Sequence, residues 1–120
     1  MKVTFEQAKK LKELGFYPKT RDFYHAGGIL SCETTLEAWN EFLSAWAAPS
    51  VCEALQWIRD SKNIPCSVHL EFEVNNKEWF YYGEWGFKGG NKVFQTGSFS
   101  TYPEAESALL DELLTYLENK

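Results

Sequence analysis

The chain has 120 residues, enough for one domain with a core of its own. Hydrophobic residues make up 44% and aromatic residues 17%, which excludes a disordered chain and makes ring placement the main packing question. The net charge of -5 is uneven: six basic against three acidic side chains in residues 1–25 give +3, so the remainder carries -8, a balance that disfavours phosphate-backbone binding by the main body.

No apolar run is long enough for a membrane span, and Met1 to Lys10 lacks the apolar segment of a secretory signal, so a cytoplasmic setting is expected. Cys32, Cys52 and Cys66 are odd in number and form no CxxC, which predicts reduced and mostly buried thiols.

Residues 3–14 read as a helix. Thr4 and Gln7 have the spacing of a capping box, Phe5, Ala8, Leu11 and Leu14 make the apolar stripe, and Gly15 supplies the left-handed stop. Lys9, Lys10 and Lys12 fall off that stripe and, with Arg21, form the candidate basic patch. Residues 21–33 are compatible with a short hairpin around Ala26-Gly27-Gly28 or with an ordered loop. A second helix is expected over 34–47, where Thr34 and Glu37 match a capping box and Leu36, Trp39, Leu43 and Trp46 repeat at helical spacing. Ala48-Pro49-Ser50 breaks it. Ser50 and Glu53 then cap a third helix, which ends near Asn63 ahead of Pro65.

Residues 66–99 predict three antiparallel strands. In the first, Cys66, Val68, Leu70, Phe72 and Val74 alternate with Ser67, His69, Glu71 and Glu73. An Asn75-Asn76-Lys77 turn leads to the aromatic run 78–87, and a Gly-containing turn over 88–92 leads to 93–99. A two-residue first turn puts Trp79, Tyr81, Trp85 and Phe87 on one face with Val68, Leu70 and Phe72, and the second turn is expected to add Val93 and Phe99. That face is the expected core, covered by the helices on either side. The opposite face carries Ser67, His69, Glu71, Glu73, Phe80, Tyr82, Glu84 and Phe94. Of these, Phe80, Tyr82, Phe94, His69 and Glu71 form the candidate interaction surface. A last helix starts at Thr101, with Glu104 returning the cap and Ala105, Leu109, Leu110, Leu113, Leu114 and Leu117 as its apolar face.

These elements describe an α+β single domain over residues 1–120. An N-terminal helical or hairpin subdomain (1–48) precedes an α-β-β-β-α core (49–120), a three-stranded antiparallel sheet packed on two helices. Catalytic signatures are missing: there is no phosphate-binding glycine loop, HExxH or GxSxG. His69 with Glu71 and Glu73 offers a weak metal or acid–base arrangement that alternating solvated residues explain equally well, and a Cys66–His pair needs non-local geometry. No catalytic residue, cofactor or metal is therefore assigned. The expected role is non-enzymatic protein contact, including a homodimer through the outer sheet face; the alternative is nucleic-acid binding through Lys9, Lys10, Lys12 and Arg21.

The helix–strand–strand–strand–helix order from Ser50 to Lys120 resembles the topology of double-stranded-RNA-binding domains. That family carries a lysine cluster at the start of its last helix, where this chain has Tyr102-Pro103-Glu104-Ala105-Glu106. The segments VTFEQAKKLKELGF, APSVCEALQWIRDSKNI and TYPEAESALLDELLTYL look like those of small uncharacterised proteins of Bacteroidetes phages and mobile elements. That likeness implies a bacterial or phage cytosolic setting and carries no functional residues.

Overall fold

A computed structural model describes residues 1–120. In chain order the elements are α1 (Phe5–Glu13), β1 (Thr20–His25), β2 (Leu30–Glu37), a 3-10 turn (Trp39–Glu41), β3 (Ala45–Ala47), α2 (Val51–Lys62), β4 (Cys66–Glu73), β5 (Glu78–Gly86), β6 (Val93–Gln95) and α3 (Tyr102–Glu118). The class is α+β, with two three-stranded antiparallel sheets ordered β2-β1-β3 and β4-β5-β6. The chain divides into two compact units: residues 1–54 with 114–120, and residues 55–113.

In the first unit, α1 begins with the expected capping box. The Gln7 amide N–H donates to the Thr4 hydroxyl, and the Gln7 side-chain carbonyl accepts from the Thr4 N–H. It ends in a Schellman-type closure: Gly15, at φ 91°, donates to Lys12 and Phe16 donates back to Leu11, so Phe16 is buried. Residues 21–33 form the hairpin of β1 and β2 rather than a loop.

The helix expected over 34–47 is absent. Residues 30–37 are a strand instead, and residues 45–47 form the third strand of the same sheet. The helical spacing of Leu36, Trp39, Leu43 and Trp46 was a coincidence of period, because Leu36 and Leu43 are exposed. Non-local partners outcompete the local pattern. Trp39 stacks on Phe23 at 3.9 Å between centroids and donates its indole N–H to the Thr20 carbonyl. Trp46 meets Phe5 edge-on at 5.3 Å, and the Asn40 side chain bonds both Phe16 and Ala47 backbones. The N-terminal part is therefore one helix with a small sheet built on the β1–β2 hairpin.

In the second unit, α2 runs on from the Ser50–Glu53 capping box and closes at Asn63, which takes φ 60°. The β4–β5 ladder is regular: eight consecutive pairs from Cys66↔Trp85 to Glu73↔Glu78. The expected parity holds, with even residues of β4 opposite odd residues of β5. The connection is four residues long, 74–77, and its positive φ falls on Lys77, not on an asparagine.

The covering of that face departs from expectation. Cys66 and Trp85 are buried, but Leu70 is 52% exposed, Phe72 41% and Trp79 62%. The reason is where α3 lies. Leu109 packs against Gly83, where a Cβ would stand 2.7 Å from the Leu109 Cβ, and Glu112 accepts a 2.9 Å bond from the Trp85 indole N–H. Tyr102, the first residue of α3, meets Tyr81 edge-on. The hairpin continues past that first turn, leaving Phe72, Val74 and Trp79 uncovered.

The third strand is also shifted. Phe87 belongs to the turn, so the connection spans six residues, 87–92, and the facing parity reverses. Phe94 lies opposite Trp85 and stacks on it at 4.5 Å, whereas Val93 pairs with Gly86 and is exposed. Phe99 bridges Tyr81 on the expected face.

Trp85→Ala should cost about 3–5 kcal/mol, as large buried rings do. Phe72→Ala should cost no more than about 1 kcal/mol, because much of its ring is already wet. Gly83→Ala should cost about 1–3 kcal/mol by overpacking against Leu109. Denaturant unfolding of the three variants checks this ordering, and a Phe72 loss equal to that of Trp85 contradicts it.

Candidate functional site

On the outer face of β4–β5, the ladder places His69 opposite Tyr82 and Glu71 opposite Phe80. The His69 ring stacks on Tyr82 at 5.3 Å with planes 20° apart. Its Nε2 lies 2.9 Å from a Glu84 carboxylate oxygen and 2.9 Å from the Ser67 hydroxyl. Phe80 sits 6.0 Å from Tyr82. Partial burial, then the Glu71 and Glu84 carboxylates, push the Tyr82 hydroxyl above its ordinary pKa. Four of the five expected surface residues, His69, Glu71, Phe80 and Tyr82, thus share one face. Phe94 does not: it is on the other face against Trp85, because of the six-residue turn.

The His69–Glu71–Glu73 arrangement does not assemble either. His69 turns to Glu84 on the neighbouring strand, and the Glu73 carboxylate accepts the Asn75 backbone N–H. No group of three or more metal-ligating side chains is present. Cys66 points to the face opposite His69, so the two are not paired. Its buried thiol is pushed up in pKa by burial, with the Arg59 guanidinium 3.7 Å away pulling the other way. All three cysteines are free thiols, but Cys32 and Cys52 are exposed rather than buried.

The residues that pattern reading missed lie at the hairpin's far end. Leu70, Phe72 and Trp79 were expected inside, and their exposure follows from helix placement, which no alternation pattern records. Phe72 and Trp79 meet edge-on at 5.1 Å, forming a wet aromatic pair. At the other end of the sheet an open recess of about 250 Å3 is lined by Pro65, Cys66, Trp85, Phe87, Lys92 and Val93.

The basic segment is largely engaged within the first unit. Lys9 pairs with Glu6 at 2.8 Å and Lys10 with Glu118 at 3.4 Å. Lys12 donates to the Phe42 and Ala45 carbonyls and lies 5.0 Å above the Trp46 ring, and burial lowers its pKa. Arg21 is exposed on β1. Beside it, Asp22 pairs with Lys2 at 2.8 Å. A bond from Cys32 first, and then Lys2, holds the Asp22 carboxyl below the usual carboxylate range.

A carboxylate with a depressed folded pKa stabilises the fold above its ordinary pKa, and the contribution disappears as pH falls through the folded value. Asp22→Asn should therefore lose less stability than the parent between neutral pH and about pH 3. Denaturant midpoints at the two pH values measure this, and identical acid losses in both proteins contradict it. No helix is long and apolar enough to cross a membrane. No family model, curated protein or solved structure matches the chain.

Proposed function

We propose that this chain is a non-enzymatic protein-interaction module whose binding element is the far half of the β4–β5 hairpin. One observation carries the reading: Leu70, Phe72, Val74 and Trp79 stand exposed on a single regular hairpin, beyond the reach of α3. Water-exposed apolar side chains clustered on one element are what protein interfaces bury, and aromatic rings are their usual anchors. The proposed setting is the cytoplasm of a bacterium or its phage. It rests on the segment likeness described above, and free exposed thiols suit a reducing compartment.

The alternative, nucleic acid at Lys9, Lys10, Lys12 and Arg21, has less support, since those three lysines already hold Glu6, Glu118 and two backbone carbonyls. Photo-crosslinking residues placed at positions 72 and 79 in the native host should capture protein adducts. The same probe at position 43, where Leu43 is 95% exposed in the first unit, should not. Equal capture at all three positions, or none at the hairpin, contradicts the reading. Tight, steeply salt-dependent binding of a polynucleotide would move the function to the basic segment.

A further inference from the structure

We propose that the open edge of β4 pairs antiparallel with β4 of a second copy, about a two-fold axis at Leu70. This deepens the hairpin reading above and rests on it.

The two sheets have four edges. β3 and β6 are three residues each, too short to template a partner. β2 carries a register break between the Thr20 and Asp22 pairings, which interrupts its ladder. β4 is eight residues long, contains no proline or lysine, and has an unbroken ladder on its other side. Of the devices that usually protect an edge it has only the carboxylates of Glu71 and Glu73 and the Arg59 contact at its first residue.

The hydrogen-bond alternation defines what that edge offers. Gly86 donates to Pro65 across the β4 side of β5. Tyr81 and Gly83 turn their backbone groups the other way, to Phe99 and Thr96. In β4 the odd residues therefore face β5, and Val68, Leu70 and Phe72 present their N–H and C=O groups outward. At Cys66 the edge is closed, because Arg59 donates to its carbonyl.

Charge and this closure select one register. Centred on Leu70, the pairing sets Leu70 opposite Leu70, and Val68 opposite Phe72 twice, all by narrow hydrogen-bonded pairs. Between them His69 of each copy faces Glu71 of the other, and Ser67 faces Glu73, with no like charges opposed. Centred on His69, the pairing sets Cys66 against Phe72 and must displace Arg59 from its carbonyl. Centred on Glu71, it opposes two Glu71 carboxylates. The Leu70 register also joins the half-buried Val68 and the exposed Leu70 and Phe72 side chains of both copies into one apolar row. A strand that meets its own reverse with no like charges opposed and its apolar side chains in register suits a second copy better than an unrelated partner.

Sedimentation of the full chain over a range of concentrations should show a monomer–dimer equilibrium. His69→Glu opposes two pairs of carboxylates and should weaken the dimer by about tenfold. The double variant His69→Glu with Glu71→Lys should restore it. Leu70→Pro removes an outward N–H that the β5 ladder does not use, and should abolish the dimer while far-UV circular dichroism stays unchanged. A chain that remains monomeric throughout, or a dimer indifferent to these changes, overturns the proposal. If the chain is monomeric while crosslinks at 72 and 79 capture other proteins, self-pairing falls and the hairpin reading stands.

Discussion

The contact between Leu109 and the bare Cα of Gly83 decides most of what the second unit exposes. A side chain at position 83 would collide with Leu109, so only glycine lets α3 approach the sheet this closely. Three residues further along α3, Glu112 takes the Trp85 indole N–H. These two contacts pin α3 to the end of β5 where Cys66 and Trp85 are buried. Because the helix begins at Tyr102, opposite Tyr81, its length leaves the rest of the hairpin uncovered. One face of one sheet is therefore core at one end and surface at the other.

That split leaves apolar side chains in water at the far end of the hairpin. A chain of this size can bury Phe72 and Trp79 only if a further element covers them, and within the second unit none does. Their exposure lies beside the outer edge of β4, a long strand with an unbroken ladder on its other side. Apolar side chains and unpaired backbone groups in one place are the two components of strand addition: the backbone supplies adhesion and the alternating side chains supply register. The polar side chains His69, Glu71 and Glu84 stay on the opposite face.

Local signals were legible in the residues. Capping pairs Thr4–Gln7 and Ser50–Glu53, the stops at Gly15 and Asn63, and the alternation of β4 all form as their chemistry dictates. Two kinds of information were not local. Over 34–47, the helical period was overridden by the stacking of Trp39 on Phe23 and the bridging of Asn40, partners distant in the chain. At β6, the departure of Phe87 from the strand changed the turn by one residue and moved Phe94 to the core face. Four of the five candidate residues, His69, Glu71, Phe80 and Tyr82, share one face because strand parity is a local property. The exposure of Leu70, Phe72 and Trp79 was not legible, because coverage depends on where a helix some thirty residues away comes to rest.

The division of one sheet face into a covered and an uncovered half can be measured at its two indoles. In 5-fluorotryptophan-labelled protein, with resonances assigned by single Trp→Phe replacements, the fluorine signals report solvent contact ring by ring through their shift between light and heavy water. The Trp79 resonance should move strongly and that of Trp85 little, as their exposures of 62% and 5% require. Equal shielding of the two rings, or a wet Trp85 beside a dry Trp79, would contradict the account.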